Sequence, residues 1–172
     1  MEKARVRIEA ELEQHLEAVF SIFSEPVAAA SIAQVHRATL VSDGTDVAVK
    51  VLSPGIEKAF RRDIDAFYFA ARMIEILAPG TRRLRPLDVI AHFEGVVMGE
   101  LDLRLESSAA GEFAANTNSD VGFQLPKINW NLSGKNVMTM DWAEGISAGD
   151  NAALDAAGHD RKKIGERILQ LF

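Results

Sequence analysis

Residues 26–52 read PVAAASIAQVHRATLVSDGTDVAVKVL. Two runs within this stretch, Ser31 to Leu40 and Thr45 to Leu52, are rich in β-branched residues. Ser42-Asp43-Gly44 between them is a turn signal, so the stretch predicts a β-hairpin. Upstream, Ile8, Leu12, Leu16 and Val19 recur every three or four positions, which predicts an amphipathic helix over residues 5–23. Ser24-Glu25-Pro26 ends it, because the residue before proline is pushed out of the helical region. Downstream, Pro54-Gly55 breaks the second strand and opens a long helix with Ile56, Phe60, Ile64, Phe67, Ala71 and Ile74 on one stripe. Ala78-Pro79-Gly80 stops that helix. A second long helix is predicted from Pro86, a residue suited to a first helical turn, to Asn116, with Ile90, Phe93, Val97, Leu101 and Leu105 as its stripe. Two strand-like pieces follow, Phe123 to Leu132 and Asn136 to Met140, split by the Ser133-Gly134-Lys135 turn, and Asp150 to Phe172 reads as helical. Adjacent strand pairs with helices inserted between them define an α+β fold.

Composition narrows the function classes. The 172 residues carry a net charge of −6, with 48% apolar and 26% charged residues. That balance belongs to a folded globular domain and not to a disordered chain. A pI near 5.2 argues against nucleic acid as a partner, since phosphate recognition draws on a basic field. The absence of cysteine excludes disulfides, thiolate metal sites and cysteine nucleophiles together. His15, His36, His92 and His159 share no metal-ligand spacing. The start of the sequence lacks the apolar stretch of a secretory signal.

Three constellations bear chemistry. The first is the small-residue run Ala28-Ala29-Ala30-Ser31-Ile32 leading to Val35, where slight side chains let backbone approach a ligand such as a phosphate. Alanine does this less well than glycine, because its Cβ blocks positive φ. The second is Asp46-Val47-Ala48-Val49-Lys50-Val51, an alternating strand closed by a lone lysine, the arrangement in which a kinase lysine reaches nucleotide phosphates. The third is Glu100-Leu101-Asp102-Leu103-Arg104-Leu105-Glu106. In a continuous helix Asp102 and Glu106 stand about 40° apart on one face, a repulsive pair unless a cation such as Arg104 intervenes. Taken singly, each has a plainer reading: a strand packed against a helix, an edge lysine in solvent, and a solvated helix face.

In combination and in this order, the three resemble the UbiB-like, aarF-domain atypical kinases. AAASIAQVH looks like that family's alanine-rich loop, which stands where ordinary protein kinases have a glycine-rich one. VAVKV looks like the strand carrying the nucleotide lysine, here Lys50. ELDLRLE resembles the family's Glu-x-Asp motif, Glu100 and Asp102, followed by the glutamate of an αC-type helix, Glu106. VMTMDWAEG resembles the hinge, with Met140 as gatekeeper and Asp141 to Ala143 beside the adenine. PGIEKAFRRDID is similar to the family's insertion after the lysine strand.

The resemblance implies a protein-kinase-like N-terminal lobe over residues 1–140, with an antiparallel sheet, an αC-like helix, an N-terminal helix and an inserted helix. Residues 141–172 would be the hinge and the start of the C-terminal lobe. It implies ATP or ADP with Mg2+ as cofactors, and a nucleotide site at Ala28, Ala29, Ala30, Ser31, Ile32, Val35, Ala48, Lys50, Glu106, Met140, Asp141 and Ala143. It also implies a role in ubiquinone (isoprenoid quinone) biosynthesis, in the cytoplasm and peripheral to or anchored at the inner membrane. Membrane lipid, a quinone precursor and quinone-biosynthesis proteins are the partners it suggests; the basic run Thr81-Arg82-Arg83-Leu84-Arg85 is either a lipid contact or a solvated loop. A catalytically silent scaffold or lipid-binding partner is the alternative. The family's upstream Lys-x-Gly-Gln motif, its catalytic loop and its metal-binding Asp-Phe-Gly do not occur in these residues. The chain is therefore expected to be the nucleotide-binding part of a longer protein, with its metal ligands elsewhere and no phosphoryl transfer of its own. Lobe-facing apolar surface is expected around Val35, Ala48 and Met140.

Overall fold

The computed structural model describes residues 2–118, 120 and 122–170. Four antiparallel strands form one sheet in sequence order: β1 (Phe20–Ala29), β2 (Ala33–Leu40), β3 (Asp46–Leu52) and β4 (Val137–Asp141). The predicted hairpin is β2–β3, turning through Gly44 at φ 75°, a conformation that glycine adopts without a Cβ penalty. Helices α1 (Glu2–Leu12) and α2 (Leu16–Val19) precede the sheet. Helix α3 (Ile56–Leu77), a 3-10 segment (Pro79–Leu84), α4 (Pro86–Glu100) and α5 (Leu103–Asn116) lie between β3 and β4. Helices α6 (Asn151–Ala156) and α7 (Arg161–Gln170) follow.

Several elements depart from the sequence expectation. The helix predicted over residues 5–23 breaks at Glu13, which takes φ 53°, and everything from Phe20 onward is strand β1. Pro26 lies inside that strand and is tolerated there because β1 is the sheet edge, where a missing N–H breaks no ladder. The apolar spacing was nonetheless informative: Ile8, Leu16 and Val19 are buried and Leu12 packs against them. The helix expected over Pro86–Asn116 is two helices, interrupted at Leu101-Asp102. Of the two later strands only β4 forms. Phe123–Leu132 contributes an isolated bridge, Ile128 to Met140, and a 3-10 turn at Trp130–Leu132. The terminal helix is likewise two, and the predicted residues Leu171 and Phe172 lie outside the described residues.

Strand alternation divides the core in two. Val47, Val49, Val51, Val137 and Ala38 meet α1 and α2 on one face, through Ala4, Ile8, Leu16 and Val19. On the other, Ala33, Leu52 and Met138 meet Leu101 and Leu103 at the junction of α4 and α5. Polar contacts fasten α1. The Arg7 guanidinium donates to the carbonyls of Leu52 and Ser53 and to Asn136 Oδ1 at 3.3, 2.8 and 2.8 Å. The Glu11 carboxylate accepts from Lys135 N and Asn136 Nδ2, both at 2.6 Å. Gly134 makes that approach possible, since a Cβ there would overlap Glu11.

One end of the α3–α4 pair, through Ile56, Phe60, Val97 and Met98, packs on the second core cluster. Its helices are joined by Tyr68 Oη donating to Glu94 at 2.9 Å and by an edge-to-face contact of Phe67 with Phe93. Phe69, Ile76, Leu77, Leu84 and Val89 are exposed along it. Among the described residues, no helix is long and apolar enough to cross a membrane.

Candidate functional site

Register fixes which side chains share the sheet face turned away from α1 and toward α5. Ala28 stands opposite Val35, Val35 opposite Lys50, and Lys50 opposite Met138. Arg37, Ala48 and Met140 form the next row on that face. A one-residue slip would send all of these to the α1 side, so burial of Val47, Val49 and Val51 there holds Lys50 on the opposite face. Val35, Ala48, Lys50 and Met140 are thus brought together. The apolar surface expected around three of them is largely covered, with Ala48 buried and Val35 and Met140 half-buried.

Glu106 reaches this face because α5 starts anew after the interruption. Asp102 is not helical. At φ −130° it caps α5, its carboxylate accepting from Arg104 N at 3.1 Å. The Arg104 guanidinium donates to both oxygens of that carboxylate, which holds Asp102 below the ordinary carboxylate range. Leu103 N donates to Lys135 O at 2.9 Å, and Leu101 and Leu103 are buried beneath. One turn further, Glu106 accepts from Lys50 Nζ through both oxygens, at 2.6 and 2.7 Å. The expected repulsive face of Asp102 and Glu106 is therefore corrected: the helix break gives each carboxylate its own cation. Glu100, the last residue of α4, is exposed and borders an open hollow of 420 Å³ that also touches Asp102 and Glu106.

The alanine-rich run is a tight hairpin turn between β1 and β2. Ala28 and Ala29 are the last residues of β1 and not loop. Ala30 N donates to Ala33 O at 2.8 Å, and Ile32 O accepts from Ser53 N at 2.7 Å. Ile32 packs onto the Leu52–Leu101–Leu103 cluster, while Ala30 and Ser31 are exposed at the tip. Non-glycine residues with positive φ among the described residues are Glu13 and Arg85, so alanine carries no strain in this turn.

At the other end, Asp141 N donates to Lys127 O at 3.0 Å and Trp142 N to Asp46 O at 3.2 Å. The Ala143 N–H has no partner among the described residues. Sequence reasoning missed the group beside it. Arg37 donates to Asp46 Oδ2 from Nε and Nη2, lies 3.6 Å from the Glu144 carboxylate, and its guanidinium stacks 4.9 Å from the Trp142 ring centroid. Asp46 also accepts from Thr39 Oγ1 at 2.7 Å, and these bonds hold its carboxyl below the usual range. The signal was present in the hairpin register, which sets Thr39 against Asp46 and Arg37 on the adjacent diagonal.

A family model described as the ABC1 atypical kinase-like domain matches residues 1–172. The chain belongs to this family. It is 37% identical over 172 residues to a protein of Marinobacter nauticus named "Probable protein kinase UbiB". It is 39% identical over 170 residues to one of the same name from Shewanella baltica, and 36% over 171 residues to one from Vibrio cholerae. These alignments cover 98–99% of this chain and 31% of each relative, so the chain spans about a third of their length. The α+β architecture is accordingly that of a kinase-like N-terminal lobe.

The fit to a nucleotide is testable on these residues. Lys50 presents a cation on the sheet face toward α5, Ala143 has a backbone N–H with no partner among the described residues, and the Ala30–Ser31 tip is exposed, with the Ala30 N–H already spent on Ala33 O. A divalent metal is different: among the described residues no three His, Asp or Glu side chains are grouped to hold one.

Proposed function

We propose that the chain is the nucleotide-holding lobe of an atypical kinase or ATPase of the UbiB type, acting in support of ubiquinone (isoprenoid quinone) biosynthesis. The observation that carries the reading is the Lys50–Glu106 ion pair on the sheet face toward α5. Both oxygens of Glu106 hold the ammonium in place, leaving its third N–H for a phosphate oxygen. The Ala143 N–H and the uncovered parts of Val35 and Met140 would take the base, with buried Ala48 behind them. A bound magnesium–ATP supplies the transferable phosphoryl group; the residues here orient and neutralise it. The shared names of the relatives favour the kinase over a silent scaffold, which would need no lysine–glutamate pair.

The test is titration of the intact gene product with ATP and ADP, beside Lys50→Ala and Glu106→Gln. Lys50 is 24% and Glu106 49% exposed at the side chain, so losing this pair costs the fold about 1 kcal/mol or less. Both variants should melt near the wild type and bind nucleotide at least ~10-fold more weakly. Binding by Lys50→Ala equal to the wild type would remove Lys50 from the site. No binding by the wild type would leave the scaffold.

We also propose that the parent protein works at the cytoplasmic surface of the inner membrane, with membrane lipid, quinone precursor and quinone-biosynthesis proteins as partners. The observation favouring a lipid surface is the 3-10 segment joining α3 and α4, where Arg82, Arg83 and Arg85 adjoin exposed Leu77 and Leu84.

A further inference from the structure

Arg37 joins three separate parts of the lobe. Its backbone belongs to β2, its guanidinium bonds Asp46, the first residue of β3, and its Cζ lies over the Trp142 ring in the segment leaving β4. Trp142 is held a second time, by its N–H on Asp46 O. Glu144 of the same segment lies 3.6 Å from the Arg37 guanidinium. Removing the guanidinium would leave the Asp46 and Glu144 carboxylates without the cation they share. The pairs are partly exposed, with Arg37 42% and Asp46 35% accessible, so their contribution to folding is small and their main consequence is geometric.

We propose that Arg37 is a positioning residue: with Asp46 it fixes the Trp142–Ala143 backbone, beyond the last ladder residue Asp141, in one orientation, so that the Ala143 N–H reads the edge of a purine base. This rests on the nucleotide reading above and concerns base selection within it. Backbone that reads a base by hydrogen bonds discriminates only while it is rigid, because a loose segment re-forms its bonds with the wrong edge. A guanidinium stacked on an indole supplies planarity that an ammonium does not.

The experiment is calorimetric titration of the intact gene product with ATP and GTP, for wild type, Arg37→Met, Arg37→Lys and Asp46→Asn. Arg37→Met should weaken ATP by ~5-fold or more and GTP by less, so that the ATP-to-GTP affinity ratio falls. Arg37→Lys, which keeps the charge and loses the flat stacking, should fall between. Emission from Trp142 should shift in Arg37→Met before nucleotide is added. Asp46→Asn should reproduce the lowered ratio, and it carries the test if Arg37→Met does not fold. An unchanged ratio in Arg37→Met and Asp46→Asn, with the wild type binding normally, overturns the proposal and leaves the nucleotide site standing. Equal weakening of ATP and GTP together with a lower melting temperature also overturns it, assigning Arg37 a structural role only. A wild type that binds neither nucleotide overturns the nucleotide reading and this inference with it.

Discussion

His36 follows the alanine-rich turn directly, yet its side chain serves the opposite face of the sheet. It is fully buried, its ring stacked on Phe23 with centroids 4.7 Å apart. Nδ1 lies 2.9 Å from the Ser24 carbonyl and so carries the proton, while Nε2 has no partner among the described residues. Burial pushes the imidazole below its ordinary value, and the Ser24 carbonyl opposes this only in part. The folded state thus binds its proton less readily than the unfolded chain, whose histidine titrates near ~6.5. This contribution to stability is fully present above about pH 6.5 and is lost as pH falls from there toward the folded-state value. Urea unfolding of wild type and His36→Asn at stepped pH should show a steeper acid loss in the wild type; parallel curves would mean that His36 is not held neutral. The burial was not legible in the sequence, because it depends on Phe23 and Ser24 being strand where their spacing reads as the end of a helix. The pairing of Lys50 with Glu106 was legible because it rests on residue type and order, which survive errors in local geometry.

Helix α5 shows how periodicity run across an element's end misplaces the apolar face beyond it. The predicted stripe of Ile90, Phe93, Val97, Leu101 and Leu105 holds at Leu101, but past the break Leu105 is 59% exposed and Leu103, off the stripe, is the buried residue. The signal for the break was Asp102 itself, a residue type preferred at helix starts, and its side chain does accept from the α5 backbone. The cap also aims Glu106, because the first turn of α5 sets where the next one points. Asp102→Ala should therefore cost about 0.5–2 kcal/mol in chemical denaturation. Asp102→Asn, which keeps an acceptor, should recover most of that loss even though the ion pair with Arg104 is gone. If both variants lose the same amount, the charge and not the cap is what matters. Strand β1 was missed for a related reason: as an edge strand it shows bulged, irregular register and exposed positions such as Ile22 and Val27, so it carries little alternation.

Over the whole molecule, net charge conceals an uneven distribution. The chain is acidic at −6, but the segment Ile76 to Leu87 contains Arg82, Arg83 and Arg85 and no carboxylate. The stripes on α3 and α4 that read as core include Phe67, Ile74 and Phe93, all more than 40% exposed, because these helices pack mainly on each other. Periodicity tells that a helix has an apolar face; it does not tell what covers it. At the tip, Leu77 and Leu84 are 76% and 64% exposed beside the arginines. Arg85 pairs with Asp88 at 2.6 Å and Arg82 donates to the Glu75 carbonyl at 3.3 Å, so the local charges are oriented but not buried. Apolar side chains ringed by arginine suit an anionic bilayer surface, where each basic residue contributes about 1 kcal/mol within a Debye length. The intact gene product should therefore sediment with vesicles containing anionic lipid and much less with purely zwitterionic ones, and salt should release it. Replacing Arg82 and Arg83 together by glutamate should lower that binding by ~10-fold or more, since two attractive charges become repulsive. Leu84→Ser should weaken what remains at high salt, where apolar insertion alone persists. If the double replacement binds anionic vesicles as tightly as the wild type, the membrane contact lies elsewhere in the protein and this tip is only the solvated end of a helical pair.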